Sequence, residues 1–418
     1  MRRGEIIAIG SELLLGGRVD TNSLFLTDEL AALGIEVRWK TVVGDDEADI
    51  AAAVRVAARR ADFVVMTGGL GPTGDDLTRE AVARVTNRPL RRHADAVKGM
   101  TQRLAVWGRT PTAAQMKQAL IPSGAAVLNN PVGSAPGFCL SWKTCQLIAL
   151  PGVPAEAEAM FTKEATRFVA EPIQARARTL IERRVLHTFG ILEAELDARL
   201  GPLVTPCRGV RLGLLASPLG VTVSLTVCGG ASEIAALDQA THAVRHDLGG
   251  LVYAEGAATM EEVVGRALAA RKMTIAVAES CTGGLIGHRL TQVPGSSAYL
   301  DRVLVCYSNE AKMELLDVSK VTLARHGAVS PEVAAAMAQG VREHSKADVG
   351  LSVTGIAGPG GNTAQKPIGL VYVGFDAKGT GVLTREFRFH GSRDTIKLRA
   401  SQAALNVLRQ WLPVVQPK

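Results

Sequence analysis

Residues Ala278–Lys312 read AESCTGGLIGHRLTQVPGSSAYLDRVLVCYSNEAK, which packs two serines, a tyrosine and a lysine into one short unit. Ser280 and Ser297 each sit in a turn of small residues, and Tyr307 and Lys312 stand five residues apart. The chemistry such residues can do is nucleophilic. A serine hydroxyl attacks only when a neighbouring base takes its proton, and a desolvated lysine, or a tyrosinate beside a cation, can replace histidine in that role. Cys281 is a rival, since a thiol at a helix start has a lowered pKa. Taken singly, the serines also read as caps or turn formers, Tyr307 as a half-buried strand residue and Lys312 as a solvated helix residue.

The elements that must position these groups follow from the pattern. An apolar run, Thr274–Ala278, leads into Gly283 and Gly284, which permit a tight turn and leave the helix Leu285–Leu290 with free N–H groups that favour anions. Pro294 and Gly295 stop that helix. A strand at Val303–Tyr307 then feeds a helix carrying Lys312, which brings Tyr307 and Lys312 to one cavity.

A second stretch with chemical content is Thr67–Asp76, TGGLGPTGDD. Glycines after a strand, then two carboxylates opening a helix, describe a phosphate-cradling loop (Gly68, Gly69, Gly71, Thr73) beside a site for a hard cation such as Mg²⁺ held by Asp75 and Asp76. The bland alternative is that Asp75 or Asp76 caps the helix Leu77–Val85. Strands at Glu5–Ile9, Glu36–Val43 and Phe63–Thr67 alternate with helices starting at Asn22 and spanning Glu47–Arg60, so a doubly wound, mostly parallel α/β sheet is expected, with its ligand crevice at the carboxyl ends of the strands. Asp20 and Asp45 are further polar residues at that end.

A helix Ala155–Glu171 ends before Pro172. From about Arg176 the texture changes: a strand Leu180–Phe189, a helix Leu192–Leu200, a hairpin around Ser217–Leu219, a helix Glu233–Leu248 and a strand Leu251–Ala254 make a small α+β unit. The last part, an α/β domain, runs from helix Glu261–Arg271 through strands Val349–Thr354 and Gly369–Phe375 to helix Ser392–Leu412. The expected division is 1–173, 174–256 and 257–418.

With 418 residues, 47% hydrophobic, and 43 glycines, the chain is globular and too long for one core. No apolar run has the length of a membrane span and no secretory cleavage pattern opens the chain, so a cytoplasmic protein is expected, its six cysteines free thiols. The net charge of +7 is scattered, and only 4% of residues are aromatic, which offers little base-stacking surface for nucleic acid; phosphate-bearing small molecules satisfy the same charge. His326 and His390 lack a second histidine at metal-ligand spacing and read as packing or capping residues.

AESCTGG, PGSSAY, YSNEAK, HGAVSPEVAAAMAQG, VTGIAGPGG and KPIGLVYVG, in that order, resemble the C-terminal domain of CinA proteins, the nicotinamide mononucleotide deamidases. The resemblance implies hydrolysis of the carboxamide of nicotinamide mononucleotide to nicotinate mononucleotide and ammonia, with no obligatory metal. By position it makes Ser297 the nucleophile and Tyr307 and Lys312 its activating partners. Ser280, Thr282, Gly283, Thr354 and Gly355 then hold substrate or oxyanion, and Arg393, in HGSRD, clamps phosphate. On the residues alone, Ser280 and Cys281 remain open as nucleophiles.

TGG-x-GPT-x-DD, with SELLLGG, DTN, NPVGSAPGF and LPGVPAE, resembles the molybdopterin-binding-like domain of the same family. It implies ADP-ribose pyrophosphatase activity dependent on a divalent metal, with a monovalent cation a further option, and Asn130 and Ser134 as additional phosphate ligands. A module that only binds pterin or nucleotide is the alternative. The middle part resembles a KH-like domain but lacks a G-x-x-G loop between helices, which favours a spacer or a homodimer contact over RNA binding; Thr188, Gly190 and Glu193 could contribute to the neighbouring site. A DNA-uptake or repair protein with vestigial enzyme folds is the remaining alternative, and would need a continuous basic face.

Overall fold

The structure, a computed structural model, describes residues 2–169 and 180–412. The expected division at 173/174 and the end of the helix expected to reach Glu171 lie outside those residues. Two compact units are present, Met1–Glu182 with Val227–Ala235, and Arg183–Thr226 with Ala236–Lys418.

In the first unit β1 (Arg2–Ile9), β2 (Ile35–Val43), β3 (Phe63–Thr67), β6 (Ala126–Leu128), β7 (Gly137–Trp142) and β8 (Cys145–Leu150) form a sheet in the order β2-β1-β3-β8-β7-β6. The first four strands are parallel, and β7 runs antiparallel to β8 and to β6. Successive side chains of a strand point to opposite faces, and here both faces are covered. Ile7, Val64 and Met66 pack on one side with Ile50, Val54 and Ala57 of the helix Glu47–Arg60. Ile6, Phe63 and Val65 pack on the other with Leu26 and Leu30 of the helix Thr21–Ala32. A short ribbon pairs β4 (Leu90–Arg92) with β5 (Leu120–Pro122).

The second unit holds two sheets. One is the small α+β part, in the order β10 (Arg211–Ser217), β11 (Gly220–Gly229), β9 (Leu180–Thr188), β12 (Val252–Glu255). The other runs β14 (Leu300–Val305), β13 (Ile275–Glu279), β15 (Val349–Gly355), β16 (Leu370–Ala377), β17 (Gly381–Arg388), parallel across its first three strands and antiparallel in the last two. β13 is buried along its whole length, with Ile275 and Val277 facing helices Met260–Ala270, Leu285–Thr291 and Arg393–Trp411, and Ala276 and Ala278 facing the helix Pro331–Ser345. That helix lies close on the sheet: a Cβ on Gly374 would run into the Ala334 carbonyl.

Two elements differ from the sequence expectation in ways that matter. The strand expected at Val303–Tyr307 is instead Leu300–Val305, because the carbonyls of Cys306, Tyr307 and Ser308 turn toward Lys312 Nζ and leave the ladder. β17, an exposed edge strand with no apolar alternation, was not anticipated. Among the described residues no helix is long and apolar enough to cross a membrane.

Candidate active site

β13 delivers Ser280 to the carboxyl end of the parallel strands. Glu279, its last residue, pairs with Val305 on one side and Val353 on the other, and Ser280 N–H donates to the Val353 carbonyl at 3.0 Å. The chain then reverses through Gly283 (φ 61°) and Gly284 (φ 93°), a left-handed conformation suited to glycine, and enters the helix Leu285–Thr291. The buried Glu279 carboxylate turns back under this loop and accepts from the N–H groups of Gly284 (3.0 Å), Ile286 (3.1 Å) and Gly287 (2.8 Å). The helix start expected to be open to an anion therefore carries one from its own chain.

Lys312 reaches the same point from the other side of β14. Ser308 caps the helix Asn309–Leu316 by accepting from Ala311 N–H at 3.0 Å, which sets the first turn so that Lys312 points back under the strand ends. Its side chain is fully buried. Nζ donates to the Cys306 carbonyl (2.7 Å), the Tyr307 carbonyl (3.2 Å) and Ser280 Oγ (3.2 Å). Among the described residues no carboxylate joins the set, and burial pushes the Lys312 ammonium below the ordinary lysine range. As a neutral amine it shares two N–H groups among the Cys306, Tyr307 and Ser308 carbonyls and keeps a lone pair for the Ser280 hydroxyl.

Thr282 is buried, and its Oγ1 meets no hydrogen-bond partner among the described residues. Gly283 N–H is held by the Ser280 carbonyl and Gly284 N–H by Glu279, which leaves the Cys281 and Thr282 N–H groups as the turn's candidates for holding an oxyanion. Tyr307, 61% exposed, accepts through its hydroxyl from Arg393 Nη2 at 3.0 Å, and Arg393 Nη1 donates to the Gly358 carbonyl at 2.6 Å. Thr354, at the end of β15, is buried and directs its hydroxyl to the Ala328 carbonyl at 2.7 Å, and Gly355 lies against Leu370 and Val371 of β16.

In the first unit the glycine-rich loop is closed by its own acid. Asp76 accepts from Gly71 N–H (2.7 Å), Thr73 N–H (2.8 Å) and the Thr73 hydroxyl, and the buried Arg79 guanidinium holds the Leu70 and Gly71 carbonyls. Asp75 is exposed. Gly68 (φ 109°) sits where a Cβ would strike the Ile9 carbonyl, and Gly69 (φ 64°) accepts from Thr78 N–H at 3.2 Å. Asn130 is fully engaged: its Oδ1 accepts from Val132 and Gly133, and its Nδ2 donates to the Ala135 carbonyl and to Glu156, whose pKa burial raises. Ser134 Oγ donates to Gln118 at 3.4 Å.

Three family models match the chain: "Probable molybdopterin binding domain" over residues 5–171, "Damage-inducible protein CinA KH domain" over 183–254 and "CinA C-terminal domain" over 257–412. A Moorella thermoacetica protein named for competence-damage induction is 44% identical over 410 residues, covering 97% of this chain and 98% of that one. A CinA-like protein of Koribacter versatilis is 40% identical over 415 residues, covering 98% and 99%. The chain belongs to the CinA family. Among solved structures, a competence/damage inducible protein of Agrobacterium tumefaciens is 42% identical over 36% of this chain and 93% of its own, with a TM-score of 0.35.

In this CinA chain Ser297 does not stand with Tyr307 and Lys312. It is exposed in the short turn Ser296–Ala298, before β14 begins, and about 20 Å of chain at roughly 3.3 Å per residue separates that end from Cys306. The residue that does meet Lys312 is Ser280. Cys281 is excluded on different grounds: burial pushes its thiol up to about 12 rather than down. Of the expected phosphate cradle and metal pair of the first unit, the Gly71 and Thr73 N–H groups and both Asp76 oxygens serve the loop itself, and Asp75 is exposed. Among the described residues no group of three or more His, Cys, Asp or Glu side chains is placed to hold a metal ion. Asp20 and Asp45 are also structural, accepting from Ser23 N–H and Ser11 N–H. Thr188 donates to the Val221 carbonyl, and His326 pairs with Glu332. His390 contributes its carbonyl to Arg399. Sequence reasoning missed Glu279, although an acid directly before a Ser-Cys-Thr-Gly-Gly turn is the signal that marks it.

Proposed function

We propose that the second unit hydrolyses the carboxamide of nicotinamide mononucleotide, with Ser280 as nucleophile and Lys312 as its base. The observation that carries this reading is the buried Lys312 Nζ at 3.2 Å from Ser280 Oγ with no carboxylate to keep it charged. Ser280 Oγ attacks the carboxamide carbon and passes its proton to Lys312. The oxyanion forms beside the Cys281 and Thr282 N–H groups and the unpartnered Thr282 hydroxyl. Lys312 returns the proton to the leaving nitrogen, ammonia departs, and water, deprotonated by the same amine, releases nicotinate mononucleotide from the acyl-serine. Tyr307 and Arg393, joined at 3.0 Å, form the exposed rim that receives the nucleotide. The family supports the substrate, and the dyad supports the reaction type. Ammonia release from nicotinamide mononucleotide by the full chain in the presence of EDTA tests it; an inert protein would overturn it.

For the first unit the motifs carried by its family favour a nucleotide or pterin ligand at the carboxyl ends of β1 and β3, with cleavage of ADP-ribose as the activity. Release of AMP from ADP-ribose, with and without Mg²⁺, separates cleavage from binding alone.

A further inference from the structure

The helix Arg393–Trp411 carries a second cation that the dyad does not use. Arg393 and Lys397 are four residues apart and so share a face of the helix. Arg393 marks where that face looks, because its guanidinium donates to the Tyr307 hydroxyl and to the Gly358 carbonyl. Its charge, with that of Lys312, also works against the burial that raises the Cys281 thiol. Lys397 reaches the nucleophile's own turn: a Cβ on Gly283 would lie 3.8 Å from Lys397 Nζ. The lysine is half-buried, and no hydrogen bond or ion pair engages it among the described residues. Such an ammonium, next to Arg393 and facing the nucleophile's turn, can pair with an anion that enters there.

We propose that Lys397 is the residue by which this chain selects a phosphorylated substrate, its ammonium pairing with the phosphate of the mononucleotide next to Arg393. This rests on the deamidase reading of the Ser280 site. The phosphate is the one full negative charge the substrate brings that the corresponding nucleoside lacks. An oxyanion role for Lys397 would instead act on nucleoside and nucleotide alike.

The test is the ratio of kcat/KM for nicotinamide mononucleotide to that for nicotinamide riboside, measured for the full chain and for Lys397→Met and Lys397→Arg. The ratio is expected to fall about 10- to 100-fold in Lys397→Met, the size of a lost charge-assisted hydrogen bond, and to recover in part in Lys397→Arg. A misfolded or catalytically damaged variant lowers both rates together and leaves the ratio alone. An unchanged ratio with an active wild type overturns the assignment and leaves the deamidase reading standing. Should the wild type release no ammonia from either compound, inorganic phosphate is the second probe. A phosphate-dependent rise in melting temperature that Lys397→Met abolishes keeps the anion site without the deamidase, and its absence from the wild type overturns both.

Discussion

Lys312 Nζ and Ser280 Oγ stand 3.2 Å apart although 32 residues separate them in the chain. Two parallel strands produce that meeting. Ser280 leaves the carboxyl end of β13, Cys306 follows the carboxyl end of β14, and Cys306 N–H donates to the Glu279 carbonyl at 2.8 Å, which fixes the two exits side by side. The helix bearing Lys312 then folds back beneath them.

Because burial lowers the Lys312 pKa, the base form is reached at lower pH than for a solvated lysine. The kcat/KM for nicotinamide mononucleotide should rise as pH rises through that lowered value and level off below the roughly 10.4 of an ordinary lysine. Lys312→Arg stays protonated and cannot act as a base, and a loss of about a hundred- to ten-thousand-fold in kcat is expected. A pH profile still climbing beyond pH 10 would count against the amine as base.

Glu279 holds three backbone N–H groups under the nucleophile's turn. Glu279→Ala leaves them buried without an acceptor and should destabilise the fold by about 3 kcal/mol or more, with activity lost as the turn loosens. Glu279→Gln, which keeps a carbonyl acceptor, should restore part of both. Denaturant unfolding of the two variants decides, and an alanine variant as stable as the wild type would show that the carboxylate is dispensable.

Cys281 is the neighbour of the nucleophile yet chemically quiet, its thiol pushed up to about 12 by burial. Iodoacetamide at pH 7 should leave it unlabelled in the folded protein and label it after denaturation, as read by peptide mass spectrometry. Stoichiometric labelling of the native protein with loss of ammonia release would reverse the assignment.

In the first unit, Asp76→Ala frees the Gly71 and Thr73 N–H groups and should cost about 1–2 kcal/mol of stability in metal-free buffer. Thermal melts with and without Mg²⁺ test this. A variant that melts like the wild type without metal, but loses a Mg²⁺-induced rise, would restore Asp76 as a metal ligand.

The regular elements were legible because their signals are local. The helix Glu47–Arg60 and the strand Phe63–Thr67 fall where the apolar periodicity puts them. The choice between the serines was not legible in the same way. Ser280 and Ser297 lie in similar small-residue turns, and only the direction of β13 and β14 places one at the carboxyl ends with Lys312 and the other at the opposite end. Nor does spacing reveal that Glu279 and Asp76 fill the N–H groups of their own glycine turns. An open anion nest and one closed by its own acid share the same glycines.

The account stands most directly on one comparison, ammonia release from nicotinamide mononucleotide by Ser280→Ala and by Ser297→Ala, each with EDTA present. Ser280→Ala should lose activity by a thousandfold or more, on the order of what removal of a nucleophile costs, and Ser297→Ala should stay within a few-fold of the wild type. Full activity in Ser280→Ala together with its loss in Ser297→Ala would contradict the Ser280–Lys312 dyad.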